Sequence, residues 1–143
     1  MRRVLVVEDS LSARAFVRAV LESAGFAAVH GPCAVVEAQS GFDAMRLLPR
    51  GPYDLIITDI NMADINGLEL AHFIRQSEHH RTTPLLIIST QRAELDVERG
   101  LALGANAYLA KPFTPEQLSE TCGRLLGPPS PVEHPSDPTD GGP

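Results

Sequence analysis

The stretch Leu55-Ile56-Ile57-Thr58-Asp59-Ile60-Asn61-Met62 constrains this chain more than any other. An apolar, β-branched run stops at an acid, and turn-forming residues follow. Without polar alternation, such a run reads as a strand of a parallel sheet covered on both faces. The C-terminal tip of that strand points into the crevice where open α/β sheets bind ligands. Asp59 stands at the tip. Three other runs end the same way: Val4-Leu5-Val6-Val7 in Glu8-Asp9, Leu85-Leu86-Ile87-Ile88 in Ser89-Thr90, and Ala105-Asn106-Ala107-Tyr108-Leu109-Ala110 in Lys111-Pro112. In a parallel sheet these tips share one edge, so three carboxylates, a hydroxyl and an ammonium can converge there.

A chain of 143 residues is expected to form one domain with a full core. Its net charge of −6, with no block of Lys or Arg, excludes non-specific nucleic-acid binding. Cys33 and Cys122 are far apart in sequence and lack metal-ligand spacing, so two reduced thiols are expected. The four apolar residues after Arg3 are too few for a signal-peptide core, and no run approaches membrane-spanning length. A cytoplasmic protein without membrane insertion is the expectation.

Residues 3–8 read as a first strand, followed by a helix capped by Ser10. Its apolar positions are Ala13, Phe16, Val17, Val20, Leu21 and Ala24, and Gly25 is the expected C-cap. Phe26 to Val29 and Cys33 to Ala38 both resemble strands. The second is assigned to the sheet, and the first to an extended connection or a strand extension. A helix runs from Phe42 to Leu48, and Pro49 and Gly51-Pro52 stop it. Tyr53 to Thr58 is the third strand. After Asn66-Gly67 a helix turns Leu68, Ala71, Phe73 and Ile74 inward. Pro84 opens the fourth strand, and a helix over 93–103 presents Ala93, Val97 and Leu101. Thr114-Pro115-Glu116-Gln117 starts the last helix, with Leu118, Cys122 and Leu125 inward. Strands alternating with helices in this way imply a doubly wound α/β fold with right-handed crossovers. From 127 to 143 the chain carries half of its 12 prolines and one large aliphatic residue, so this tail is expected to be disordered.

Glu8, Asp9 and Asp59 are the informative acids. Carboxylates converging without compensation repel one another, and a hard divalent cation resolves the repulsion. Few carboxylates plus carbonyl oxygen suit Mg²⁺ better than Ca²⁺. Beside Lys111, an aspartate in such a site can attack phosphorus.

With these residues in place, the chain resembles the receiver domains of two-component response regulators, specifically the stand-alone chemotaxis (CheY-like) type. The resemblance covers about residues 2–126. It rests on Val7-Glu8-Asp9-Ser10 with Arg14, Asp59-Ile60-Asn61-Met62 with Gly67, Ser89 after an apolar strand, and Gly104-Ala105-x-Ala107-Tyr108-Leu109-x-Lys111-Pro112-Phe113. It implies a flavodoxin-like five-stranded parallel sheet in the order 2-1-3-4-5, helices on both faces, and a receiver domain over 1–126. It also implies a regulatory phosphoacceptor rather than an enzyme. Asp59 would take a phosphoryl group from a phosphohistidine on a sensor histidine kinase or phosphotransfer domain. Asp9 would ligate Mg²⁺ directly and Glu8 through water, with Asp59 and the Asn61 carbonyl completing the protein's ligands. Lys111, Ser89 and the Thr90 backbone would hold the phosphoryl group, and the Lys111–Pro112 peptide would be cis. Ser89 and Tyr108 would shift together and remodel the face of the fourth helix, fifth strand and fifth helix for a downstream protein target, with chemotaxis or motility as the setting.

The chain departs from the family's pattern at several positions. Glu8 stands where Asp is usual, Ala63 where a proline commonly follows Met, and Thr90 where Ala or Gly is usual. The branched Thr90 side chain is expected to slow exchange with water and small phosphodonors. The connection between Gly25 and Ala38, with the excess at about 26–33, is about seven residues longer than the pattern; it reads as a tolerated surface loop in preference to a partner contact. Its place on the edge opposite the site separates it from the chemistry. The alternatives are a receiver-like scaffold that is not phosphorylated, a haloacid-dehalogenase-type phosphotransferase, and a flavin-binding domain. The second requires an acid two residues after the nucleophile, where Asn61 stands, and the third lacks a Ser/Thr-rich phosphate loop. His72, His79 and His80 are read as structural.

Overall fold

Apolar side chains point to alternate faces along each strand, and the two sets build two separate cores. Val4, Val6, Leu55, Ile57, Leu86 and Ile88 face one layer, while Leu5, Val7, Ile56, Leu85 and Ile87 face the other. Uninterrupted aliphatic runs are therefore what a sheet buried on both sides needs. The computed structural model describes residues 1–90 and 94–128, with the backbone alone for 94–96. The tail expected to be disordered lies outside the described residues except for 127 and 128.

The strands are β1 (Arg2–Val7), β2 (Cys33–Ala38), β3 (Leu55–Asp59), β4 (Leu85–Ser89) and β5 (Ala107–Ala110). They form one parallel sheet in the order β2-β1-β3-β4-β5, as expected. Helices α1 (Leu11–Leu21), α2 (Ala24–His30) and α6 (Pro115–Leu126) carry the core residues of one face. Helices α3 (Gly41–Leu47) and α4 (Gly67–Gln76) do so on the other, where Gly100 of α5 (Glu94–Ala102) also meets Ile87. Among the described residues, no helix is long and apolar enough to cross a membrane.

Local chemistry fixes the helix starts. The Ser10 hydroxyl accepts from the Ala13 N–H at 3.3 Å, and the Asn66 side chain accepts from the Leu68 N–H at 2.7 Å. At α6, Thr114 and Gln117 bond reciprocally, at 3.1 and 2.9 Å, in the expected capping box. The far end of α6 is held by the buried Arg2, whose guanidinium donates to the carbonyls of Gly127, at 3.0 Å, and Pro128.

The connection after α1 differs from the sequence expectation. Helix α1 ends at Leu21, Gly25 is not its C-cap, and Phe26 to Val29 is helical rather than extended. The Ser23 hydroxyl caps the new helix α2 by accepting from the Phe26 N–H at 3.1 Å. Only Phe26 of the apolar four enters the core, and Val29 stays 67% exposed. A strand there would have had no neighbour, because the edge of β1 is taken by β2 from Cys33 onward. Helix phase also differs in places. Phe16, Phe73 and Leu101 are exposed, and Leu70 rather than Phe73 faces the core. Ala93 lies outside the described residues.

Both cysteines are unpaired and buried. Burial, with the neighbouring Cys33 adding to it, pushes the Cys122 thiol up to about 12, which leaves it inert. His80 is buried and structural. Its Nε2 lies 2.8 Å from the Leu48 carbonyl, and its ring stacks on Tyr53.

Candidate functional site

Register places the strand tips side by side. Val7 pairs with Thr58, Asp59 with Ile88, and Ser89 with Ala110. The residues that end or follow these strands therefore reach one edge. Glu8, Asp9 and Asp59 each present a carboxylate oxygen within 4.8 Å of the others. Glu8 and Ser89 are fully buried, Asp59 is nearly so, and Asp9 is exposed.

Lys111 reaches into this group from the end of β5. Its Nζ donates to Glu8 Oε1 at 2.6 Å and to Asp59 Oδ2 at 3.1 Å. The peptide between Lys111 and Pro112 is cis, as the resemblance implied. The Lys111 N–H donates to the Ser89 carbonyl at 2.8 Å, which ties the lysine to the tip of β4. Glu8 Oε2 accepts from the Ser10 N–H at 3.0 Å, so both of its oxygens have donors. Burial pushes the Glu8 carboxyl above its ordinary value, and the charge of Asp59 adds to this against the opposing bonds from Lys111 and Ser10. Burial opposes the Lys111 charge too, yet the bond to Glu8 and the charges of Asp59 and Glu8 outweigh it and raise its value.

Asp59 is held from below. The Asn61 N–H donates to its Oδ1 at 3.3 Å, and the Thr58 hydroxyl to its carbonyl at 3.0 Å. Gly67 sits so close that a β-carbon there would overlap the Asp59 carbonyl and stand 2.7 Å from Ile60 Cα. The loop 61–66 is tethered from its other side. Asp64 accepts from the N–H groups of Gly41, Phe42 and Ile65 at 3.1, 2.9 and 2.7 Å, joining the loop to the start of α3. Arg14 closes the β1 side, donating to the Glu8 carbonyl at 2.8 Å and to Glu37 at 2.7 Å.

Of the residues expected here, Glu8, Asp9, Asp59, Ser89 and Lys111 are brought to this edge, with Asn61 and Thr90 directly following β3 and β4. Tyr108 lies on β5, half-buried against the core that α3 and α4 cover. The tether from Asp64 and the direct Lys111–Glu8 pair were not legible in the sequence. An Asp five residues after a strand-end acid reads as an ordinary loop residue until the helix it caps is placed.

An oxygen-only set of three acids beside one ammonium retains net negative charge and fits a hard divalent cation. With the geometry in view, the comparisons with known proteins are direct. The model of the response regulator receiver domain matches residues 4–122. The chemotaxis protein CheY homolog of Campylobacter jejuni is 34% identical over 126 residues, covering 87% of this chain and 92% of its own. Chemotaxis protein CheY1 of Helicobacter pylori is 32% identical over 126 residues, covering 87% and 97%. The structure of the chemotaxis response regulator CheY4 of Vibrio cholerae superposes with a TM-score of 0.78 at 34% identity, covering 87% of this chain and 98% of its own. On sequence, fold and the acids at the sheet edge together, the chain belongs to the response regulator receiver-domain family.

Proposed function

We propose that Asp59 is the phosphoacceptor of a CheY-like switch that takes a phosphoryl group from a phosphohistidine and passes the signal to a protein target. The observation that supports this reading best is the ammonium of Lys111 bridging Asp59 and Glu8, with Asp9 beside them. In the transfer an Asp59 carboxylate oxygen forms the new O–P bond while the donor's N–P bond breaks, and the imidazole nitrogen keeps the electron pair. Lys111 exchanges its bond to Asp59 Oδ2 for one to a phosphoryl oxygen. The Ser89 hydroxyl and the Thr90 N–H supply further donors on the β4 side.

Asp9, Asp59 and the Asn61 carbonyl would hold Mg²⁺, with Glu8 acting through water. When bound, the ion neutralises charge that develops on the phosphoryl oxygens. Glu8 keeps one oxygen on the Ser10 N–H, which aims the other at the site. Once phosphorylated, Asp59 offers Ser89 a new acceptor. The movement of Ser89 vacates space behind it for Tyr108, and the surface of α5, β5 and α6 changes for its target. Relatives named as chemotaxis proteins support chemotaxis or motility as the setting and the cytoplasm as the place. The chain itself acts as a regulatory phosphoacceptor rather than an enzyme. A haloacid-dehalogenase reading is not favoured, because Asn61 stands where its second acid is needed.

Intact mass after incubation with acetyl phosphate and Mg²⁺ tests the reading. Wild type is expected to gain one phosphoryl group, and Asp59→Asn or added EDTA is expected to abolish the gain. Equal labelling of wild type and Asp59→Asn would overturn it.

A further inference from the structure

Two apolar hollows lie end to end on the face that carries α1 and α6. The first, about 420 Å³, opens at the mouth of the site and is lined by Ser12, Ala13, Phe16, Thr90, Lys111 and Phe113. The second, about 380 Å³, continues between α1 and α6, and its far wall is α2, with Gly25 and Phe26 facing Ala19, Val20 and Pro115. Phe16 lines both. Its ring meets that of Phe113 at 5.8 Å, yet the side chain is 37% exposed. An aromatic ridge between two apolar hollows is a surface that lowers its free energy when a partner covers it.

Helix α2 is also the part of the chain that exceeds the family's pattern, and it is firmly built. Phe26 is anchored in the core, and the ring of His30 packs on Gly123 of α6, where a β-carbon would collide with it.

The position of the first hollow says what covers it. A protein delivering a phosphoryl group to Asp59 must bring its histidine within bonding distance of the phosphorus, so its surface must rest on the rim beside Lys111 and Thr90. A specific interface buries roughly 800 Å² per partner, a patch about 30 Å across. From Ser12 to Ser23 the chain climbs only about 16 Å at 1.5 Å per residue. A donor seated at the mouth and extending along α1 therefore reaches α2.

We propose that α2 forms the outer wall of the seat for the phosphohistidine-bearing protein, and that the hollow between α1, α2 and α6 selects among such donors. The proposal rests on Asp59 being the phosphoacceptor. It gives the longer connection a use, and it departs from the expectation that a segment starting at the opposite edge stands apart from the phosphorylation reaction.

Gly25→Trp and Ala19→Glu test it. A β-carbon at Gly25 meets nothing within 4 Å, and Ala19 is exposed, so both variants are expected to fold. Acetyl phosphate, which needs no docking surface, should label both at the wild-type rate. Transfer from autophosphorylated histidine kinases of the source organism is then measured, using the kinase that labels wild type fastest. A fall of about tenfold or more in both variants is expected, the size of one lost interface contact. Unchanged kinase transfer would overturn the proposal. So would a wild type labelled by acetyl phosphate but by none of the organism's kinases. Failure of acetyl phosphate to label wild type would instead remove the reading of Asp59 itself.

Discussion

Lys111 and Glu8, 103 residues apart in the chain, form the shortest ion pair at the sheet edge, with Nζ 2.6 Å from Oε1. Burial opposes both charges, and the bond between them favours the ionised form of each, while the charge of Asp59 supports that of Lys111 and works against that of Glu8. The same ammonium contacts the proposed phosphoacceptor, so one side chain serves both the folded state and the chemistry.

Lys111→Ala should separate these two roles. Acetyl phosphate labelling is expected to slow by about 100-fold, the scale for losing one positioned donor to a developing oxyanion. The melting temperature should fall in metal-free buffer, because three acids then face one another uncompensated, and Mg²⁺ should recover part of the loss. Thermal unfolding with and without Mg²⁺ checks this. A loss that Mg²⁺ leaves untouched would count against the acids acting together.

Gly67 leaves no room for a side chain over Asp59. Gly67→Ala is expected to destabilise the fold by about 1–3 kcal/mol, the usual cost of overpacking, and to slow labelling at Asp59. Chemical denaturation and a labelling time course measure the two effects. Wild-type values in both would show that the backbone relaxes freely there.

Asp64 does by hydrogen bonding what a proline at position 63 would do by ring constraint. Its three backbone donors span the loop and the start of α3, and the Phe42 N–H first, then those of Ile65 and Gly41, hold its carboxyl below the ordinary value. Asp64→Ala should raise the Mg²⁺ concentration that half-saturates labelling, and Asp64→Asn, which still offers an acceptor, should restore part of it. Titrating Mg²⁺ against the initial labelling rate distinguishes them. Identical half-saturation in all three proteins would contradict the tether.

Acid stability should report on the surface beside α1. Bonds from Arg18 and then Arg14 hold Glu37 below the ordinary 4.5, and the Val35 N–H, then Arg18, does the same for Glu22. A carboxyl with a lowered folded value contributes stability that is full above 4.5 and is lost as pH falls through the folded value. The melting temperature should therefore drop below 4.5, and Glu37→Gln should flatten that limb while lowering stability at neutrality. Thermal unfolding from neutrality to about pH 3 in metal-free buffer measures it. An unchanged acid limb in Glu37→Gln would contradict the assignment.

The parts of the fold that sequence disclosed are those where one physical requirement dominates. Val4 to Val7, Leu55 to Ile57 and Leu85 to Ile88 had to be doubly buried strands, and that alone placed Glu8, Asp59 and Ser89 on one edge. Thr114 and Gln117 announced α6 because both capping partners are local. Phe26 to Val29 was illegible because a short apolar run fits a strand or a helix equally. The decision came from the Ser23 cap and from β2 already occupying the edge of β1. Phe16 and Phe73 misled because aromatic residues were expected inside. Their exposure depends on helix phase, which Leu21 and Leu70 set by packing. The Lys111–Glu8 pair and the Asp64 tether join segments far apart in sequence, and nothing local encodes them.

Locating the phosphoryl group tests the account most directly. Wild type labelled with acetyl phosphate and Mg²⁺ is reduced with borohydride, which converts an acyl phosphate to the alcohol, and the altered residue is found by peptide mass spectrometry. The expected result is conversion of Asp59 alone, dependent on Mg²⁺. Conversion at Glu8 or Asp9 with Asp59 intact, or phosphate found only on a histidine or serine, would contradict it.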